Sequence, residues 1–319
     1  MTLINVKVAK IKREAEGVHS FLLAKTGLFK FPKYAPGAHI DVHCGEGIIR
    51  QYSLCGDPED RRHLMVAVKH EERSRGGSEL MHTKVEVGQR LEIGSPRNNF
   101  HLDEAASYAI LLAAGIGITP IIAMADRLYK LGIPFELQYF SRAETHTAFR
   151  KRLVSGDYAQ NVTFHEGLDP AQTGDALDHI LSAPKRGGQV YMCGPGVFME
   201  AAESRALKHW PSDAVKLERF AANPAFAGLP TSKFTIELAR SGIALEVGKD
   251  ETILDVLEAN DINAAFSCEQ GVCGTCVTDI IEGKAEHRDS FLSEKERARG
   301  DKLCLCVSRA KGERLVIDI

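Results

Sequence analysis

Ser267-Cys268-Glu-Gln-Gly-Val-Cys273-Gly-Thr-Cys276 sets three thiols within nine residues, and a fourth candidate, Cys306, follows after 29 intervening residues. C-x4-C-x2-C with a distant fourth cysteine is the ligand order of a two-iron, two-sulfide cluster. One loop would wrap such a cluster, and the last thiolate would arrive from a remote strand. Gly271 and Gly274 lie between ligands, where a loop closing on sulfide needs small residues and unusual φ values. Backbone N–H groups aimed at sulfur would then offset the cluster's negative charge. A zinc site usually uses paired C-x2–4-C knuckles, and only one such pair is present. Ordinary buried thiols have no reason to keep this spacing. Cys304 is the ambiguity: on a strand, a residue two positions before Cys306 faces the same side. The interval favours Cys306 as the ligand and makes Cys304 a small apolar neighbour.

Around this loop, FTIELARSG and IALEVGKD read as a hairpin, TILDVLEAND as a helix and the closing LVIDI as a strand. They predict an α+β domain over residues 233–319. The preceding NPAFAGLPTS, residues 223–232, has the composition of a linker. Residues 103–222 alternate strands with helices: YAILLAAG, a helix through TPIIAMADRLYKLG, FELQYFS, a helical AFRKRLVS, VTFHEG, a helical GDALDHILSA and QVYMCG. That rhythm predicts an α/β domain with a parallel sheet. Residues 1–102 carry INVKVAKI, HSFLLAK, AHIDVHC, IIRQYSL and HLMVAVKH between Gly, Pro and Asp turns, which predicts an antiparallel β-barrel.

The 319 residues are 44% hydrophobic and carry a net charge of -3, enough for packed cores and without a basic stripe for nucleic acid. MTLINVKVAKIKREAEG lacks the apolar run of a signal peptide, so the expected setting is the cytoplasm. Residues 105–125 hold no charge and could be mistaken for a bilayer span. Gly115, Gly117 and Pro120 should break them into a strand, a turn and a helix.

Gly115-Ile-Gly117-Ile-Thr119-Pro120 joins a buried strand to a helix, where glycines let backbone approach a pyrophosphate at the helix N-terminus. The third glycine of the dinucleotide fingerprint is missing, and a structural turn reads equally well. Glu136, 21 residues after Gly115, is near the distance of a ribose-binding acid but sits in mid-strand and is discounted. Cys193-Gly194-Pro195 follows another buried strand. In the first segment, Arg50 and Tyr52 of Arg50-Gln51-Tyr52-Ser53 should project from one strand face and suit a phosphate and a flat ring. Arg75-Gly76-Gly77-Ser78 is a plausible phosphate nest.

Together these motifs resemble the ferredoxin-NADP-reductase superfamily and, within it, the phthalate dioxygenase reductase family, the reductase components of Rieske-type oxygenases and O-demethylases. The resemblance spans the chain, through Arg50 to Leu54, Arg75 to Ser78, Gly115 to Pro120, Cys193 to Pro195, the four cysteine ligands and Cys306-Val-Ser-Arg309. It implies a flavin domain, an NAD domain and a C-terminal β-grasp ferredoxin of plant type, and FMN rather than FAD. Arg50, Gln51, Tyr52, Ser53, Ala67, Val68, Lys69, Gly77, Ser78, Thr119 and Phe220 would hold the flavin. Gly115, Gly117, Ser141, Arg142, Cys193, Gly194 and Pro195 would hold NADH, although Arg142 could equally suit a 2′-phosphate. Ser53, Thr119 and Cys193 would set the hydride-transfer geometry. The family's activity would carry electrons from NADH through flavin and cluster to a terminal oxygenase acting on an aromatic such as phthalate or vanillate. The carrier would be monomeric, with neither membrane nor nucleic acid as a partner. Other readings are a reductase for a cytochrome or another hydroxylase, and a ferredoxin carrier whose flavin and NAD domains are inactive.

Overall fold

The computed structural model describes every residue except 1, 2, 28, 29, 46, 73, 75, 223–225, 227 and 230. Arg75 and much of the expected linker therefore lie outside the described residues. The chain forms two compact units, Met1–Glu218 and Arg219–Ile319.

The first unit opens with β1 (Leu3–Ala15), β2 (Val18–Lys25), β3 (Ala38–Gly45), β4 (Ile48–Ser53), β5 (His63–Lys69), α1 (Gly77–Thr83), β6 (Arg90–Gly94) and β7 (Arg97–Asn98). The antiparallel strands run β4-β3-β6-β1-β2-β5, with β7 on β3, and a Leu54–Val66 bridge joins the end strands into a barrel. Alternation fills its interior with Val6, Phe21, Leu23, Ile40, Val42, Leu64, Val66, Val68 and Ile93.

Next come β8 (Tyr108–Ala114), α2 (Ile118–Leu131), β9 (Phe135–Ser141), α3 (Arg150–Ser155), β10 (Val162–Glu166), α4 (Pro170–Leu181), β11 (Gly188–Cys193), α5 (Gly196–His209) and β12 (Val215–Glu218). All pairings are parallel, in the order β10-β9-β8-β11-β12. Residues 105–125 break as expected, into β8, a 3-10 turn at Gly115–Gly117 and the start of α2. No helix among the described residues is long and apolar enough to cross a membrane. One apolar cluster joins the barrel's Ala15, Val18, Cys55 and Ala67 to Ile118, Ile121, Met124 and Tyr139 of the α/β part. Arg152 ties the same seam, donating to the Cys55 carbonyl at 3.0 Å.

The second unit contains β13 (Phe234–Leu238), β14 (Ala244–Val247), α6 (Ile253–Ala259), β15 (Val277–Glu282), β16 (Ala285–Glu286), α7 (Glu294–Arg299), β17 (Lys302–Cys304), β18 (Arg309–Ala310) and β19 (Arg314–Ile317). Its sheet runs β14-β13-β19-β15-β17 and is mixed, parallel only between β13 and β19. Thr252 and Asp255 form a capping box at α6, which buries Ile253, Leu254, Val256 and Leu257. Arg309 donates to the carbonyls of Ser232, Gly248 and Glu251 and lies over the Phe234 ring, tying the end of the chain to the start of this unit.

Candidate functional site

In the second unit Cys268, Cys273, Cys276 and Cys306 are all buried, and the Cys276 and Cys306 sulfurs approach to 3.3 Å. Cys268 and Cys276 are held well below the ordinary thiol range, the first by hydrogen bonds from Cys273 and Cys306, the second by Cys304 and Cys306. Cys273 and Cys306 are pushed up, chiefly by hydrogen bonding to Cys268. Four thiolates held this close would need positive charge among them, which the two irons of a cluster would supply. Backbone N–H groups already point at sulfur: Gln270 at Cys268 and Thr275 at Cys273, both 3.4 Å. No three His, Cys, Asp or Glu side chains among the described residues close on a single metal ion. A two-iron cluster asks instead for two thiolates per iron.

The loop's shape depends on its glycines. Gly271 and Gly274 have φ of +67° and +73°, and a Cβ on Gly274 would fall 2.1 Å from the Phe291 ring. Behind Gly271 stands the fully buried Asp289, whose Oδ2 accepts from the N–H groups of Phe291 (3.1 Å) and Leu292 (2.7 Å). Arg297 caps that segment with a 2.6 Å bond to the Asp289 carbonyl. The sequence reading missed this buttress, because a single acid between the third and fourth cysteines carries no spacing signal. It also expected Cys304 and Cys306 on one strand. In fact β17 ends at Cys304, opposite Val277, and Cys306 sits in the following turn.

In the first unit, the sheet order reverses direction between β8 and β11, which is where open α/β sheets bind ligands beyond their C-terminal strand ends. Both expected glycine turns lie there and press together. A Cβ on Gly117 would stand 2.2 Å from the Cys193 carbonyl oxygen, and one on Gly194 would stand 2.8 Å from Ala114 Cβ. Close packing thus demands glycine at both positions. The Thr119 hydroxyl donates to Ile116 O at 3.0 Å and Tyr139 Oη to Gly115 O at 3.0 Å, so side chains hold the first turn from both sides. Pro195 leads directly into α5, a helix the sequence reading did not include.

The barrel brings β5 beside this turn, with Ala67 buried in the same apolar cluster as Ile118 and Cys193. Ser53, at the end of β4, is buried and donates to Glu218 Oε2 at 3.4 Å. Glu218 ends β12 in register with Cys193, and desolvation pushes its carboxyl up to about 8. Desolvation also raises the Cys193 thiol well above its ordinary range, so it is held neutral. Glu218 is the residue that sequence reasoning missed here: a lone acid at a strand end carries no spacing signal.

The remaining residues divide. Arg50 and Tyr52 both face Cys44 and share a face as expected, whereas Gln51 turns the other way and donates to Asp41 at 3.1 Å. Gly76-Gly77-Ser78 is not an open loop, because Gly77 and Ser78 begin α1, and a Cβ on Gly77 would fall 2.3 Å from Arg50 Cγ. Val68 points into the barrel core and can meet a ligand only through its backbone, and Lys69 pairs with Glu71 at 2.9 Å. Ser141 and Arg142 stand at the C-terminal end of β9, on the same sheet edge as Gly115 and Cys193. Phe220 falls in the second unit and stays an expectation of the resemblance.

Residues 236–311 match the 2Fe-2S iron-sulfur cluster binding domain. The chain is 39% identical to the phthalate 4,5-dioxygenase oxygenase reductase subunit of Pseudomonas putida, over 98% of this chain and 96% of that one. It is 38% identical to the vanillate O-demethylase oxidoreductase of Pseudomonas sp. (strain HR199 / DSM 7063), over 99% and 100%. The solved phthalate dioxygenase reductase, described as a modular structure for electron transfer from pyridine nucleotides to [2Fe-2S], superposes with a TM-score of 0.77 at 35% identity, covering 99% of this chain and 98% of that one. With matches of this identity along its whole length, the chain belongs to the phthalate dioxygenase reductase family, oxidoreductases that include the reductase subunits of multicomponent oxygenases.

Proposed function

We propose that this chain is the NADH-dependent reductase of a Rieske-type oxygenase or O-demethylase acting on an aromatic substrate, working as a cytoplasmic monomer. The observation that carries the reading is the packing and register that bring Gly117, Cys193, Glu218 and Ser53 together at the strand ends, in a chain whose second unit gathers four buried thiols. A flavin bound there, FMN in this reading, would supply the conversion of a two-electron hydride into the single electrons that a [2Fe–2S] cluster accepts.

The chain's own residues bind, orient and exclude water. The Gly115–Gly117 turn and α2 present backbone N–H groups to a pyrophosphate, and Gly194 lets the second turn close without a side chain in the way. Arg50 and Tyr52 offer a cation and a ring on one barrel face, with Gly77 and Ser78 beside Arg50 for a phosphate. Ser53 and Glu218 fix a polar pair in an otherwise apolar crevice, and Cys193 stays a neutral thiol that packs without attacking. No proton transfer to a protein nucleophile is required. In the second unit, Cys268, Cys273, Cys276 and Cys306 would hold the irons, and the partner would dock near their loop. The test is anaerobic mixing of purified protein with NADH and cytochrome c or ferricyanide. Rapid acceptor reduction with bleaching of flavin and cluster absorbance is expected, and a chain carrying both groups that reduces neither acceptor overturns the reading.

A further inference from the structure

The ends of β9 and β10 carry a polar relay that no motif marks. Glu166 closes β10 in register with Ser141. Its Oε1 accepts from Thr147 Oγ1 at 2.9 Å and from Arg150 Nε at 3.2 Å. Ser141 and Thr147 hydroxyls lie 2.7 Å apart, so a chain of hydroxyls runs from the β9 end to the carboxylate. Both described donors fall on Oε1, so Oε2 has no described donor, and the side chain keeps 23% of its exposure. Arg150 is occupied as well: Glu144 lies 3.3 Å from its Nε, and its guanidinium covers the Phe164 ring at 4.8 Å. Against this, Arg142 is exposed at the same edge and could attract an anion.

Strand order fixes what this corner would meet. With a pyrophosphate at the β8 turn, the adenosine half extends over the next strands on that side, β9 and β10. Glu136, the acid at the conventional spacing, lies near the N-terminal end of β9, where Tyr108 binds it, and cannot reach. We propose that Glu166 sets the chain's preference for NADH over NADPH: its unused oxygen accepts from the ribose hydroxyls, and its charge, held in place by Thr147, repels a 2′-phosphate. Arg150 is prevented from receiving that phosphate by the same ion pair. This inference rests on the reading of the first unit as a nicotinamide-nucleotide site.

The experiment compares the flavin- and cluster-loaded protein with its Glu166→Gln and Thr147→Val variants. It measures kcat/KM for NADH and NADPH with ferricyanide, and calorimetric binding of ADP-ribose and of its 2′-phosphate. The wild type should prefer NADH by on the order of a hundredfold, since like charges meet at the ribose. Glu166→Gln should shrink the preference about tenfold by improving NADPH and the 2′-phosphate, and Thr147→Val, which leaves the Arg150 pair intact, should shrink it about threefold. If Glu166→Gln does not fold, the Thr147→Val ratio decides. Binding of both nucleotides with equal affinity by the wild type, or a preference unchanged in both variants, overturns this proposal alone. Failure of every nucleotide to bind or react overturns the nucleotide reading and this proposal with it.

Discussion

The two units build their sites in opposite ways. In the second, three of four thiols come from nine consecutive residues, and the loop that carries them is shaped by its own glycines. In the first, Ser53, Ala67, Gly117, Cys193 and Glu218 come from five separate segments and meet only because β4, β5, β8, β11 and β12 end at one place. A local site can be read from spacing. An assembled one depends on strand order and register, which spacing does not encode.

The largest expected effect tests the local site. Cys306→Ala should abolish the cluster's visible absorbance and bound iron, whereas Cys304→Ala should keep both. The two residues are close enough that Cys304 also touches Cys276, so the contrast is a sharp one. Equal loss of iron in both variants would mean the fourth ligand is not fixed by the turn after β17.

Next comes a test of the assembled site. Gly117→Ala must displace the Cys193–Gly194 peptide, because the new Cβ would meet backbone atoms at 2.2–2.7 Å. Overpacking of this kind costs about 1–3 kcal/mol, and a shift of about 1 Å at reacting groups lowers turnover on the order of a hundredfold. Turnover with NADH should therefore collapse while cluster absorbance and iron content stay at wild-type levels. Loss of both together would mean that the units do not behave separately.

What was legible follows the same division. The parallel sheet was readable because β8, β9 and β11 are apolar runs punctuated by helices, and the barrel because β2 to β5 are short runs set between Gly, Pro and Asp turns. The helix α5 was not read, since its apolar stripe is thin and it follows a Gly-Pro that looks like a plain turn. The start of α1 looked like a glycine loop for the same reason. Glu218, Glu166 and Asp289 were invisible because single acids at strand ends or loops acquire meaning only from neighbours supplied by other strands.

A smaller effect probes the buttress behind the cluster loop. Asp289 is buried with its carboxylate on two backbone N–H groups and Arg297 3.7 Å away. Asp289→Ala leaves those donors unsatisfied and should cost about 2–3 kcal/mol, while Asp289→Asn keeps one acceptor oxygen and should cost about 1 kcal/mol. Thermal melts followed at the cluster's absorbance measure this. Equal melting of all three proteins would show that the cysteine loop holds itself, making the second unit even more local than the comparison assumes.

A last, pH-dependent effect concerns the proton at Glu218. Its folded carboxyl titrates at about 8 against an ordinary 4.5, because burial disfavours the charge more than the Ser53 hydroxyl stabilises it. Between those values the folded chain holds a proton that the unfolded chain has released. The stabilisation is complete below the ordinary value and is lost as pH rises through the folded one. The wild type should therefore lose stability relative to Glu218→Gln as pH is raised from about 5 to about 9, with a slope of at most about 1.4 kcal/mol per pH unit. Unfolding midpoints of both proteins across that range test it. A pH-independent difference would mean that Glu218 is charged throughout, and that strand convergence at the switch point leaves a wet crevice instead of the desolvated one that Ser53, Cys193 and Ala67 enclose.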